Sequence, residues 1–139
     1  SVTAVCKQGN IALHLAARGG HFEAVELLIE AKSKVNSKNA NGWTALTWSA
    51  INGHEEVVLA LLRVAAHVDT ADLHGRTAAM WAARHGFVDI VHDLLQANAT
   101  VHLRDNESFT LHDHAQDQVE LLQLLLNIEA TNSSLLESS

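Results

Sequence analysis

The sequence contains no proline, no tyrosine and a single cysteine, Cys6. One cysteine cannot form an internal disulfide, and the N-terminus lacks the basic-then-apolar pattern of a secretory signal. Both absences favour a reducing compartment, so we expect an intracellular protein of the cytoplasm or nucleus. No run of about 18 apolar residues occurs either, and a helix that crosses a membrane is therefore excluded.

Basic residues are also few, with 9 Lys and Arg against 16 Asp and Glu and a net charge of -7. Binding to nucleic acid requires a clustered basic surface that neutralises phosphates, so this balance argues against a nucleic-acid partner. The charge is uneven, because residues 1–38 hold five of the bases and only three of the acids. The first quarter of the chain is its basic end.

Residues able to carry chemistry are present, but their spacing does not suit a catalytic or metal site. The closest histidine groups are His112 and His114 with Asp113, and the stretch from His85 to His92. Neither has the spacing of a structural zinc site, and one cysteine supplies no thiolate set. No phosphate-binding loop, paired-carboxylate motif or nucleophile elbow occurs. We therefore expect a protein without catalysis, metal or cofactor.

A 33-residue period organises the chain, and such a period decides the architecture. The segments "GNIALHLAARGGHFEAVELLI", "GWTALTWSAINGHEEVVLALL" and "GRTAAMWAARHGFVDIVHDLL" align without a gap. The segment "SFTLHDHAQDQVELLQLLL" follows in the same register until a loss of two residues. Three columns keep the spacing: Gly9, Gly42 and Gly75; Thr44, Thr77 and Thr110; Gly20, Gly53 and Gly86.

Each unit predicts a turn, a short helix, a second turn and a longer helix. Thr is a good helix N-cap, and a Gly-containing turn precedes it at Thr44 and Thr77. Pairs of small residues such as Ser49 and Ala50 allow close packing of the first helix, which the glycine at 53 then ends. Apolar residues at helical spacing mark the second helix. One such pair cannot bury its own apolar face, so the units must stack.

These segments resemble the ankyrin repeat, whose pattern is roughly D-x-x-G-x-T-P-L-H-x-A-A-x-x-G-H-x-x-V-V-x-L-L-L. The likeness covers about residues 1–131. It implies an all-α ankyrin-repeat solenoid of about four helix-turn-helix repeats with the 33-residue period, connected by β-turn or hairpin loops. The chain is then one domain with repeats at 6–38, 39–71, 72–104 and 105–131. Residues 1–5 would end a preceding repeat, and 132–139 would form a tail.

The chain departs from this pattern at two kinds of position. The family's proline is replaced throughout, and its His survives only as His14, so we expect fewer contacts at the helix starts. The glycine that usually follows the second helix in a left-handed conformation is replaced by Lys32, Ala65, Asn98 and Glu129. Each non-Gly residue held in that conformation costs about 1 kcal/mol, and we expect a stack less stable than a consensus array.

The resemblance also implies a binding surface, because turn tips and first helices form the concave face that meets partners. The residues of this face are mixed basic and apolar, which predicts a protein or peptide partner with acidic or phosphorylated residues beside an apolar anchor. We expect a monomeric module of a larger chain. The candidate residues are Trp43, Arg76 and Phe109 after the turn glycine; Lys7, Gln8, Asn41, Leu73 and His74 at the tips; and Arg18, Ile51, Arg84, His85 and Asp117 at the helix ends.

The three tryptophans fall into two kinds of position. Trp43 follows the turn glycine, where the side chain normally points outward, and this predicts partner contact. Trp48 and Trp81 are one period apart and share the column of Leu15, where a large apolar residue usually packs between repeats. We predict that both are core or half-core residues.

Three alternatives to a protein-binding face follow from the same residues. Trp43, Trp48 and Trp81 resemble the arrangement in ankyrin domains of certain histone lysine methyltransferases, where aromatic walls hold a methylated lysine by cation-π attraction. The acidic residue of such a cage is Ile51 here. In the second alternative the arginines of the face hold an anionic small molecule that regulates an attached enzyme. In the third the chain is a structural spacer in a longer array.

Overall fold

The computed structural model describes residues 9–115 and 118–138, with side chains as far as Ile128. Within these ranges the chain forms α-helices and no β-strand, and none of the helices is long and apolar enough to cross a membrane. The helices are α1 (Ala12–Gly19), α2 (Phe22–Glu30), α3 (Ala45–Asn52), α4 (Glu55–Arg63), α5 (Ala78–Arg84), α6 (Val88–Gln96), α7 (Leu111–His114) and α8 (Val119–Ser138).

The helices stack in two rows. The inner row consists of α1, α3, α5 and α7, each packed against the next, and the outer row consists of α2, α4, α6 and α8. Each of the first three inner helices also packs against the outer helix that follows it. This is the stack of helix-turn-helix units that the 33-residue period predicts. In the fourth unit α7 has only 4 residues, and α8 continues past residue 131, the predicted end of that repeat, to Ser138.

Small residues let the inner helices approach closely, as predicted. Ala17, Ala50 and Ala83 occupy one column at the 33-residue spacing, and each is fully buried. Ser49, beside Ala50, is also buried, and its hydroxyl donates to the carbonyl of Leu46, so it leaves no unpaired polar group. Side chains such as Val58 and Leu61 from the outer helices complete one continuous apolar core.

The helix starts keep more contacts than the departures from the family pattern predict. His14 Nδ1 accepts the Ile11 N–H at 3.0 Å, Thr47 Oγ1 accepts the Thr44 N–H at 3.3 Å, and Asp113 accepts from Thr110 in the same way. The expected loss is therefore wrong for Thr47 and Asp113, because a hydroxyl or carboxylate replaces the imidazole as acceptor. The expected loss of this contact is correct only for Met80, the equivalent residue of α5, because its side chain offers no oxygen or nitrogen acceptor.

The left-handed turns after the outer helices are present, as predicted, at Lys32 (φ 65°), Ala65 (φ 60°) and Asn98 (φ 72°). The same prediction is wrong for Glu129, because α8 continues through that residue. A further left-handed residue is Ser108 (φ 68°), which occupies the column of the turn glycines. L-residues adopt this conformation with strain, so the chain carries a conformational penalty at several turns.

Candidate functional site

Within the described residues, a buried side chain that was not among the predicted site residues organises each turn between an outer helix and the next inner helix. Asn39, Asp72 and Asp105 follow one another at the period of the repeat and begin the three described turns. Asp72 shows the pattern, because its Oδ1 accepts the N–H groups of His74 at 2.8 Å and of Arg76 at 3.0 Å. In the same way, Asn39 Oδ1 accepts the N–H groups of Asn41 and Trp43. Asp105 Oδ1 accepts those of Glu107 and Phe109. The signal was available as Asn, Asp and Asp in the first column of the repeat.

The second side-chain oxygen of Asp72 joins two consecutive repeats. It accepts the indole N–H of Trp43 at 2.8 Å and that of Trp81 at 2.8 Å. Trp43 belongs to the preceding repeat and Trp81 to the inner helix of the repeat that Asp72 begins. One carboxylate oxygen therefore satisfies two donors that would otherwise lie half-buried without an acceptor.

Equivalent links occur at the neighbouring turns. At the second repeat, Asn10 Oδ1 accepts from Asn39 Nδ2 at 2.8 Å and from the Trp48 indole N–H at 3.0 Å. At the fourth, Asp105 Oδ2 accepts from Arg76 Nε at 3.3 Å and bonds His114 Nε2 at 2.9 Å. We call this series of links the turn ladder: Asn10, Asn39, Trp43, Trp48, Asp72, Arg76, Trp81, Asp105 and His114.

The three tryptophans form one cluster within the turn ladder. The ring centroids of Trp43 and Trp48 lie 4.8 Å apart at 85°, and those of Trp43 and Trp81 lie 5.9 Å apart at 79°. Edge-to-face contacts of this kind stabilise aromatic pairs beyond the burial of their area. The half-core prediction is correct for Trp48 and Trp81, which are half-buried. Leu15, in the same column, is 41% exposed.

Trp43 does not point freely outward as its position predicts. It is half-buried between the other two indoles, and its N–H is bonded to Asp72. The outward direction was expected because the residue after a turn glycine usually faces solvent, but here the next turn supplies a carboxylate within reach. Its first role is to hold two repeats together, and partner contact through its remaining exposed edge stays a prediction.

Guanidinium groups cover the faces of two of these indoles. The Arg18 guanidinium lies 5.5 Å from the ring centroid of Trp48, and those of Arg76 and Arg84 lie 5.1 and 5.8 Å from that of Trp81. Arg76 is already paired, because it contacts Asp105 and its side chain is 13% exposed. Arg18 and Arg84 are exposed. The aromatic faces thus hold two exposed cations in defined positions.

The remaining candidate residues lie at the rim of the same face. Leu73 is 66% exposed and Phe109 42% exposed, and Phe109 meets His114 edge-on with centroids 6.0 Å apart. His85 stacks on Trp81. The others are the exposed tip residues Asn41 and His74 and the half-buried Ile51, whereas Lys7, Gln8 and Asp117 lie outside the described residues.

Two family models match the chain in succession. A model of ankyrin repeats in three copies matches residues 2–72, and a model of a single ankyrin repeat matches residues 74–106. The chain belongs to the ankyrin-repeat family. Protein phosphatase 1 regulatory subunit 12A of Mus musculus and of Rattus norvegicus are similar to it, each 50% identical over 40 residues. That segment is 29% of this chain and 4% of each relative, so the chain covers a small fraction of their length.

Burial and hydrogen bonds set the charge states of Asp105 and His114, which form the last link of the turn ladder. Burial raises the pKa of Asp105, but bonds from the Phe109 and Glu107 N–H groups and from Arg76 outweigh it and leave the pKa below its ordinary value. Burial lowers the pKa of His114, and its bond to Asp105 opposes this only in part. A neutral His114 donates from Nε2 to the Asp105 carboxylate, which leaves Nδ1 as an acceptor.

The outer helices of the ankyrin stack carry mainly negative charge, in contrast to the exposed arginines of the inner helices. A hydrogen bond with Asp93, followed by burial and the charges of Asp93 and Asp89, raises the pKa of Glu55 to about 7. Such a shift indicates crowding of like charges. The acids on α2, α4, α6 and α8 are Glu23, Glu26, Glu30, Glu55, Glu56, Asp89, Asp93, Glu120, Glu129 and Glu137.

Proposed function

We propose that this ankyrin-repeat chain is a non-catalytic module that binds a protein or peptide along the face formed by its turn tips and inner helices. Ankyrin repeats generally mediate protein–protein interactions, and the relatives named above are regulatory subunits of a phosphatase. The observation that supports this face is the exposure of apolar and cationic side chains from three of the repeats. Leu73 and Phe109 are exposed at the turns, and Arg18 and Arg84 are exposed at the ends of inner helices. Exposed apolar residues and arginines are typical of binding surfaces.

Charge supports the choice of the inner face and the class of partner. The inner face presents Arg18 and Arg84, whereas the outer helices present mainly carboxylates. A partner with acidic or phosphorylated residues is attracted to the first surface and repelled by the second. An apolar residue of the partner would then pack against Leu73 or Phe109.

The two ligand-binding alternatives have less support. A methyl-lysine cage needs open indole faces, and here Arg18 lies over Trp48 and Arg84 over Trp81. An anion site made of all three arginines needs Arg76 to be available, but Arg76 is paired with Asp105 and Glu107. Both alternatives would require part of the turn ladder to rearrange.

Affinity capture with matched variants tests the proposed face. Leu73 and Leu27 are each 66% exposed, Leu73 at a turn tip and Leu27 on the outer helix α2. Leu73→Asp should lose captured proteins that both the wild-type chain and Leu27→Asp retain, because only Leu73 lies on the inner face. Quantitative mass spectrometry measures the difference. Loss with Leu27→Asp and retention with Leu73→Asp would place the partner on the outer face and contradict the proposal.

A further inference from the structure

The inner helices carry a regular line of three side chains. Arg18, Ile51 and Arg84 recur at the period of the repeat and occupy the same position near the ends of α1, α3 and α5. These helices pack side by side. The line therefore runs across three repeats in the order cation, apolar residue, cation. Arg18 and Arg84 are exposed, and Ile51 between them is half-buried.

The two cations of this line are held in place yet able to accept an anion. Each guanidinium lies over an indole ring, Arg18 on Trp48 and Arg84 on Trp81, and this contact restricts the motion of a long side chain. Arg84 Nη1 also lies 3.4 Å from Nδ1 of His114, an uncharged acceptor when His114 is neutral. Within the part of the chain that the structure describes, no carboxylate lies within ion-pair distance of either arginine. A guanidinium fixed in this way loses less conformational entropy when it binds a carboxylate.

The spacing of the line suits one backbone conformation of a bound peptide. Packed helices lie about 8–10 Å apart, so the backbone positions of Arg18, Ile51 and Arg84 follow one another at roughly that interval, and the long arginine side chains can adjust to a ligand from there. A polyproline II segment rises about 3.1 Å per residue and repeats its side-chain direction every three residues, or about 9 Å. Every third side chain of such a segment therefore meets one member of the line. A β-strand, whose side chains alternate, would turn the middle one away.

We propose that this line binds an extended protein segment that carries an acidic, an aliphatic and a second acidic residue at three-residue intervals. The carboxylates pair with Arg18 and Arg84, and the aliphatic side chain packs on Ile51. Bidentate guanidinium–carboxylate pairing gives the end positions their preference for Asp or Glu. This inference rests on the proposed function, because it names the partner chemistry of the same face.

Four fluorescein-labelled, terminally capped peptides test the inference against the whole chain by fluorescence anisotropy. The first carries Asp, Leu and Asp at three-residue intervals in a proline- and serine-rich background that favours polyproline II. The second moves Leu by one position, the third replaces both Asp by phosphoserine, and the fourth replaces both by Asn. We expect the first to bind most tightly.

Substitutions in the chain assign the contacts. Arg18→Gln and Arg84→Gln should each weaken binding of the first peptide about three- to tenfold, and each should leave binding of the Asn peptide unchanged. Ile51→Gln should remove the preference for the first peptide over the second. Arg63→Gln, an exposed arginine on the outer helix α4, is the control and should change nothing.

The outcomes separate this inference from the function on which it rests. Equal binding of the first two peptides, tighter binding of the phosphoserine peptide, or no binding of the first peptide overturns the inference. If captured partners still depend on Leu73 in that case, the proposed face stands and only its partner chemistry is wrong. If peptide binding responds to Arg63→Gln and not to the inner arginines, both proposals fail.

Discussion

Trp43 and Trp81, from consecutive ankyrin repeats, donate their indole N–H groups to the same oxygen of Asp72, each at 2.8 Å. The other oxygen of Asp72 closes its own turn. A single buried carboxylate therefore fixes the shape of one turn and its distance from the repeat before it. The face proposed for binding depends on this arrangement, because Arg84 rests on one of these indoles.

Asp72→Asn tests the contribution of this link to stability. The amide oxygen can still accept the two backbone N–H groups of the turn, but the amide nitrogen then faces two indole donors without an acceptor. Unsatisfied buried donors cost about 1–3 kcal/mol, and we expect the free energy of unfolding to fall by that amount. Urea unfolding followed by tryptophan fluorescence measures it. Glu30→Gln, at an exposed acid on α2, should change stability by less than about 0.5 kcal/mol.

Glycine at the left-handed positions should stabilise the chain. Lys32→Gly and Ala65→Gly relieve positive φ angles of 65° and 60°, and each should add up to about 1 kcal/mol, or about 4 °C in Tm. Ala31→Gly is the matched control, because Ala31 has φ -79° and glycine there gains only freedom in the unfolded chain. Calorimetry should show a higher Tm for Lys32→Gly and a lower one for Ala31→Gly. An equal decrease in both would show that residue 32 is not strained.

His14 should make stability fall as the pH falls below about 6.5. Burial lowers the pKa of His14 from its ordinary 6.5, against a smaller opposing effect of the bond to Ser37, so the folded chain binds fewer protons than the unfolded one. The contribution of His14 is therefore complete above that pH and is lost below it. His14→Thr, which copies the residue of the next repeat, should flatten the dependence between about pH 7 and pH 5. If the free energy of unfolding changes with pH equally in the wild-type chain and in His14→Thr, this role of His14 is contradicted.

Glu55 gives a pH dependence of the opposite sign. Its folded pKa of about 7 lies above the ordinary 4.5, so its contribution is complete below pH 4.5 and is lost as the pH rises through 7. Glu55→Gln mimics the protonated form and should raise the free energy of unfolding at about pH 8 but not at about pH 5. Glu56→Gln removes a charge from the same helical turn and should show a smaller gain at the higher pH. Equal gains in stability for Glu55→Gln and Glu56→Gln would show that only the change in net charge matters.

The fold was predictable because the 33-residue columns of glycine, threonine and small residues repeat in register. The prediction failed where that register is broken, since α8 runs through Glu129 after the loss of two residues. The residues proposed for the binding face could be listed from the columns of the repeat, but the direction of Trp43 and the pairing of Arg76 with Asp105 could not. Trp43 was assigned outward from its own position, whereas its direction is set by Asp72, a residue 29 positions away. A local sequence pattern does not predict a hydrogen bond between side chains so far apart in the chain.

Trp43→Ala is a poor probe of binding, because this indole also packs against Trp48 and Trp81 and is bonded to Asp72. Removal of this half-buried indole would take away its contacts with Trp48 and Trp81 and its bond to Asp72, at a cost of up to about 3 kcal/mol. A loss of partner would then follow from a loss of structure. Leu73 is a better choice, because its side chain is 66% exposed.

Titration calorimetry with a captured partner compares the inner and outer faces directly. The wild-type chain, Leu73→Asp and Leu27→Asp are each titrated with that partner, after circular dichroism has shown that all three are folded. An inner-face interaction predicts that Leu73→Asp weakens the Kd at least about tenfold, while Leu27→Asp leaves it within about twofold of wild type. An unchanged Kd for Leu73→Asp together with a weakened Kd for Leu27→Asp would contradict it.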